Sequence, residues 1–161
     1  MISGAVAQEV LLAAPLATAW SAFADNDIRE TWFSLPGERS TRSHELDFRV
    51  GGNEITRSTF SNMGNPEELE LSARFLDIVP GERITSSSEF RLNGELRIAS
   101  VATTEFEANA DGTLVRYTEQ YQCFGLVGDG SGAQERGERE GGTRFMLRRL
   151  AIAVDQAQQP A

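Results

Sequence analysis

Tyr117, Glu119 and Tyr121 recur at alternate positions of one extended stretch near the C-terminal end of the chain. In a strand, that spacing puts all three side chains on one face. A solid core would carry Val, Leu or Phe there, so a carboxylate between two phenols points to polar chemistry inside an apolar surround. A lone desolvated carboxylate costs several kcal/mol, and must be paired, hydrated or protonated. Glu119 therefore either orients a polar group of a bound molecule or lies near the strand end and reaches water. It is also the one weak candidate for a catalytic acid or base, because a buried carboxyl with a raised pKa can trade a proton with a substrate. Arg57, on a strand beginning at Asn53, is a candidate charge partner, although spacing alone does not fix that contact.

His44 alternates with Leu46 and Phe48, which puts it on an inward row as a general base or as a capping or solvated strand-end residue. Cys123 reads as a small buried hydrophobe, and nothing in the spacing pairs it with His44. One cysteine and one histidine exclude an internal disulfide and any metal site needing two His ligands. The carboxylates are scattered, so no metal or cofactor is expected. The glycine-rich stretch from Gly125 to Gly132 contains no lysine and follows no parallel βα unit, which argues against a phosphate cradle. It reads instead as a flexible flap at a cavity mouth. The charged run Glu135 to Glu140 reads as a solvated approach to a helix.

The elements that must position these groups follow from periodicity. Residues 6–13 read as a first strand, and Pro15 suits the first position of a helix bearing Leu16, Trp20 and Phe23. Asp25 can cap a second short helix carrying Ile28, Trp32 and Phe33, ended by Pro36-Gly37. From Ser43 the period changes to two and stays so through successive hairpins, with turn signals at Gly51-Gly52, Asn93-Gly94 and Asp111-Gly112. Ser86, Ser88, Ser100 and Thr104 fall on inward rows, where small hydroxyl residues either leave space or bond across strands. After Gly132 a helical period returns, with Met146, Leu150, Ala153 and Val154 on one face. The sheet has one face to bury and the last helix is the only large apolar element available to cover it. The expected fold class is α+β, a helix-grip fold. A curved antiparallel sheet of about six to seven strands wraps a long C-terminal helix, with two short helices after the first strand.

The chain has 161 residues, one domain's worth, with an ordered core expected over about 6–156. Acidic residues number 24 against 15 basic ones, giving a net charge of −9, and the excess is spread over both halves. Nucleic-acid binding and docking on anionic lipid both need a concentrated basic face and are disfavoured. All the basic residues are arginines, which removes Schiff-base and other lysine-dependent chemistry. No secretory leader pattern and no apolar run long enough to span a bilayer stand out, so a soluble, cytoplasmic protein is expected.

Several motifs resemble those of the START-like superfamily, also called SRPBCC or the polyketide cyclase and lipid-transport superfamily. They are Ala14-Pro15 with Ala19-Trp20, Trp32-Phe33, Asp47 to Gly52, Phe75 to Ile84, Asp111-Gly112-Thr113, and Gly141-Gly142 leading to Leu147-Arg148-Arg149-Leu150. Within it the chain is most similar to the subfamily named for the activator of the heat-shock-protein-90 ATPase. One departure is Thr143, where that subfamily often places an aromatic residue; this reshapes one wall of any cavity. The resemblance implies a single START-like domain that binds a small hydrophobic or aromatic metabolite or a lipid between sheet and terminal helix. Joined to the inward rows, it gives an expected lining of Trp32, Leu46, Arg57, Ser86, Phe90, Tyr117, Glu119, Tyr121 and Met146. It also implies two alternatives: a polyketide cyclase or dehydratase using Glu119 as acid or base, and a partner-binding domain that activates a chaperone ATPase.

Overall fold

A computed structural model describes residues 1–160. Strands β1 (Ile2–Leu12), β2 (Ser43–Leu46), β3 (Asn53–Asn62), β4 (Asn65–Val79), β5 (Arg83–Leu92), β6 (Glu95–Asn109) and β7 (Gly112–Cys123) form one antiparallel sheet in the order β1-β7-β6-β5-β4-β3-β2. Helices α1 (Leu16–Ala24) and α2 (Asn26–Trp32) follow β1, and α3 (Ala133–Ala157) closes the chain. This is the α+β helix-grip architecture that the periodicity predicts.

β1 starts at Ile2, ahead of the expected Val6. Ile2 and Gly4 extend the inward alternation of Val6, and the strand pairs with β7 along its whole length, from Ile2 opposite Cys123 to Leu12 opposite Thr113. Pro15 stands one position ahead of α1, where its carbonyl accepts from the amides of Thr18 and Ala19. Asp25 does cap α2, its carboxylate accepting from the Asp27 amide at 2.9 Å. Asn93 and Gly94 both take positive φ, 51° and 81°, as a two-residue hairpin turn demands. Register shifts leave Leu76 of β4 and Arg97 of β6 without a partner and bend those two strands.

Helix α3 buries Leu147, Leu150, Ala153 and Val154, a helical-period stripe. They join Leu12, Val115 and an aromatic chain in one core. In that chain Phe48 meets Phe75 and Trp20, Trp20 meets Phe106, and Phe106 meets Phe23, which meets Trp32. All these contacts are edge to face, with centroids 4.9–5.8 Å apart. Each such pair contributes roughly 0.5–1.5 kcal/mol beyond area burial. Among the described residues, no helix is long and apolar enough to cross a membrane.

Candidate functional site

The core fills only part of the space between sheet and helix. Along the earlier turns of α3 the residues facing the sheet are small, Gly142 and Thr143, and opposite them stand Ala73, Ser86, Ser88, Ala102 and Thr104. Their short side chains leave a cavity of about 780 Å³, within the roughly 300–1,000 Å³ of small-molecule pockets. Phe23, Phe33, Phe75, Ile84, Met146 and Leu147 supply apolar wall. The Ser88 and Ser100 hydroxyls bond at 2.8 Å across strands, so Ser88 both leaves space and keeps its polar atom satisfied. Among the lining residues, Pro36, Arg42, Gly142 and Phe145 are solvent-exposed, which places an opening between the 34–37 loop, Arg42 and α3.

Two carboxylates in the cavity wall are buried, and each is held by arginine. Glu54 on β3 is only 2% exposed. Arg29 on α2 grips it with two parallel bonds of 2.7 Å, from Nε to Oε1 and from Nη2 to Oε2. The guanidinium also lies over the rings of Phe33 and Trp32, 3.9 and 4.5 Å from their centroids, a favourable cation–π arrangement. His44 Nε2 sits 2.8 Å from Glu54 Oε1, while its Nδ1 is buried without a partner. Burial alone would raise the Glu54 pKa, but the Arg29 charge and the hydrogen bonds from Arg29 and His44 outweigh it and hold the carboxyl below its ordinary value.

Glu119 on β7 is the second, and both of its oxygens accept from Arg139 Nη2 on α3. Arg139 Nε is buried with no acceptor. Tyr117, two residues along the same face, has its phenol pKa pushed up, first by desolvation and then by the Glu119 charge. The phenol therefore stays protonated.

Of the expected lining residues, Trp32, Ser86, Tyr117, Glu119 and Met146 do border the cavity. Leu46 packs against the core beside it. Phe90 is partly buried on β5 outside the cavity lining. Tyr121 belongs to a separate apolar cluster with Val6 and Cys123. Arg57 is corrected outright: Glu54, Thr56 and Ser58 take the inward positions of β3, so Arg57 projects from the other face and pairs with Glu70 at 2.7 Å. The partner of Glu119 is Arg139. The Gly125–Gly132 stretch is no flap over this cavity: Gly132 packs against Ile2, and Leu126 against the Tyr121 cluster. Cys123 on β7 and His44 on β2 lie far apart in the sheet, with four strands between them. Among the described residues, no three His, Cys, Asp or Glu side chains gather to hold a metal ion.

The fold is shared with solved structures. An uncharacterized protein from Rhizobium leguminosarum is 29% identical, with a TM-score of 0.79 and 96% of each chain covered. Mll3558 from Rhizobium loti is 34% identical with a TM-score of 0.76, covering 94% of this chain and 97% of that one. DynU16, a protein of the dynemicin biosynthetic locus, shares the fold at 16% identity and a TM-score of 0.65; the match covers 95% of this chain and 48% of that one. No curated protein matches the chain. The family model for activator of Hsp90 ATPase homolog 1-like proteins matches residues 13–155, and the chain belongs to that family, within the START-like superfamily.

Proposed function

We propose that the protein binds a small, largely apolar molecule in the cavity between the sheet and α3. The observation that carries this reading is unfilled space of about 780 Å³ walled by aromatic and aliphatic side chains and by fixed polar groups. Protein interiors are otherwise close-packed, with few voids larger than a water molecule. A space of this size, kept open by small residues on both facing elements, fits a bound occupant. The buried, unpartnered Nε of Arg139 supports the same reading, because an acceptor on the occupant would satisfy it.

Binding is favoured over proton-transfer catalysis because both oxygens of Glu119 are engaged by Arg139 and both oxygens of Glu54 by Arg29. Carboxylates gripped in this way serve as fixed wall rather than as groups free to reach a substrate. The DynU16 likeness is one of fold alone and assigns no substrate.

The test is native mass spectrometry of the folded protein against a panel of lipids and aromatic metabolites. A one-to-one complex with members of that panel is expected. Absence of any adduct across the panel contradicts the proposal.

A further inference from the structure

The four arginines that line the cavity divide into two pairs. Arg29 and Arg139, in the wall, are each neutralised by a buried carboxylate, Glu54 and Glu119. Arg42 and Arg149, at the opening, have no carboxylate partner among the described residues. Their hydrogen bonds within the protein are to neutral oxygens, and Arg149 also lies over the Phe145 ring. Arg42 Nη2 donates to the Gly37 carbonyl at 3.1 Å. Arg149 Nη1 donates to Ser34 Oγ and its Nη2 to the Thr31 carbonyl, both at 3.0 Å. These bonds fix the guanidinium of Arg149 against the end of α2 and leave several of its N–H donors unused. The two charges also oppose each other: partial desolvation and the neighbouring Arg42 both weaken the hold of Arg149 on its proton. An arginine stays charged regardless, so an anion seated between the pair would relieve that repulsion.

We infer that the cavity takes an amphipathic organic acid, its apolar body among the rings and its anionic group (carboxylate, sulfonate or phosphate) held at the opening by Arg42 and Arg149. The inference rests on the binding proposed above and adds the chemical class of the ligand. Guanidinium is suited to this task because its planar fork matches the oxygens of such groups and is weakly hydrated. The overall charge of −9 repels anions at long range, so selectivity would come from these two side chains rather than from the protein's field.

Two fluorescent probes that share one apolar body separate the claims: N-phenylnaphthylamine, which is neutral, and its sulfonate, anilinonaphthalenesulfonate. The sulfonate is expected to bind the wild-type protein about tenfold more tightly, as hydrogen bonds to a charged group allow. Arg42→Met and Arg149→Met should each remove most of that preference, the loss falling mainly on the sulfonate. Arg148→Met, on the same helix but outside the cavity, should change neither. Arg42→Met keeps the test usable if loss of the Arg149 bonds to Ser34 and Thr31 disturbs folding. Equal affinity for both probes, or a preference that survives in the Arg42 and Arg149 variants, overturns the anion site while saturable binding of the neutral probe leaves the cavity proposal standing. Binding of neither probe overturns both.

Discussion

Glu119 on β7 and Arg139 on α3 close a salt bridge across the cavity wall, with both carboxylate oxygens on one guanidinium nitrogen. The first buried residue of α3 is Thr143. Arg139, one turn earlier, therefore helps tie the start of the helix to the sheet, together with the bond from Gln8 Nε2 to the Glu140 carbonyl.

Breaking that pair from one side should be costly. Arg139→Met leaves the Glu119 carboxylate buried and uncompensated, a loss on the order of 3 kcal/mol. The double variant Glu119→Gln/Arg139→Met should lose less than the two single variants together. Urea unfolding of all four proteins measures the coupling, and strict additivity would show that the pair does not act as a unit.

The Glu54 carboxyl makes the acid limb of stability predictable. Its pKa is held below the ordinary 4.5 in the folded protein, so the folded state binds fewer protons there than the unfolded chain does. Its contribution is complete well above pH 4.5 and is lost as pH falls through the depressed folded value. Glu54→Gln should lower stability at neutral pH and flatten the decline on acidification. An acid limb as steep as that of the wild type would contradict the assignment.

Gly4 on β1 lies beneath the ring of Tyr121, and a Cβ there would collide with it. Gly4→Ala should destabilise by about 1–3 kcal/mol, the usual cost of overpacking. In a Tyr121→Leu background the same change should cost much less. Thermal unfolding of the two pairs decides it, and an equal penalty in both backgrounds removes the ring as the cause.

What the sequence revealed and what it hid have physical causes. The rows of β5, β6 and β7 were legible because alternation fixes a strand's face once its apolar members are known, and Tyr117, Glu119 and Ser86 stand where that rule puts them. The rule misled at β3, whose inward row is Glu54, Thr56 and Ser58 while Ile55 lies on the opposite register. Polar residues in and an apolar residue out invert the usual pattern, so Glu54 carries no signal and Arg57 stands out as the charge on this strand. Arg29 was hidden for a related reason: it is a charge on a short helix, buried only because Glu54 receives it.

Arg139 was readable in principle. It sits one turn before Thr143 and on the same helical face as Met146, Leu147 and Leu150. Its place within a run of charges instead suggested a solvated segment. Alternation places Tyr121 on the inward face, but the long sheet carries it past the cavity into the cluster with Val6 and Cys123. Alternation reports the face of a strand and not the distance along it.

The most direct test of the central claim is to fill the cavity. Ser86→Phe places a ring in the space opposite α3 and alters no residue of either salt bridge. Titration of N-phenylnaphthylamine into wild-type and Ser86→Phe protein, with both shown folded by circular dichroism, should give saturable binding to the wild type and a loss of about tenfold or more in the variant. Equal binding to both proteins, or none to the folded wild type, would contradict the account.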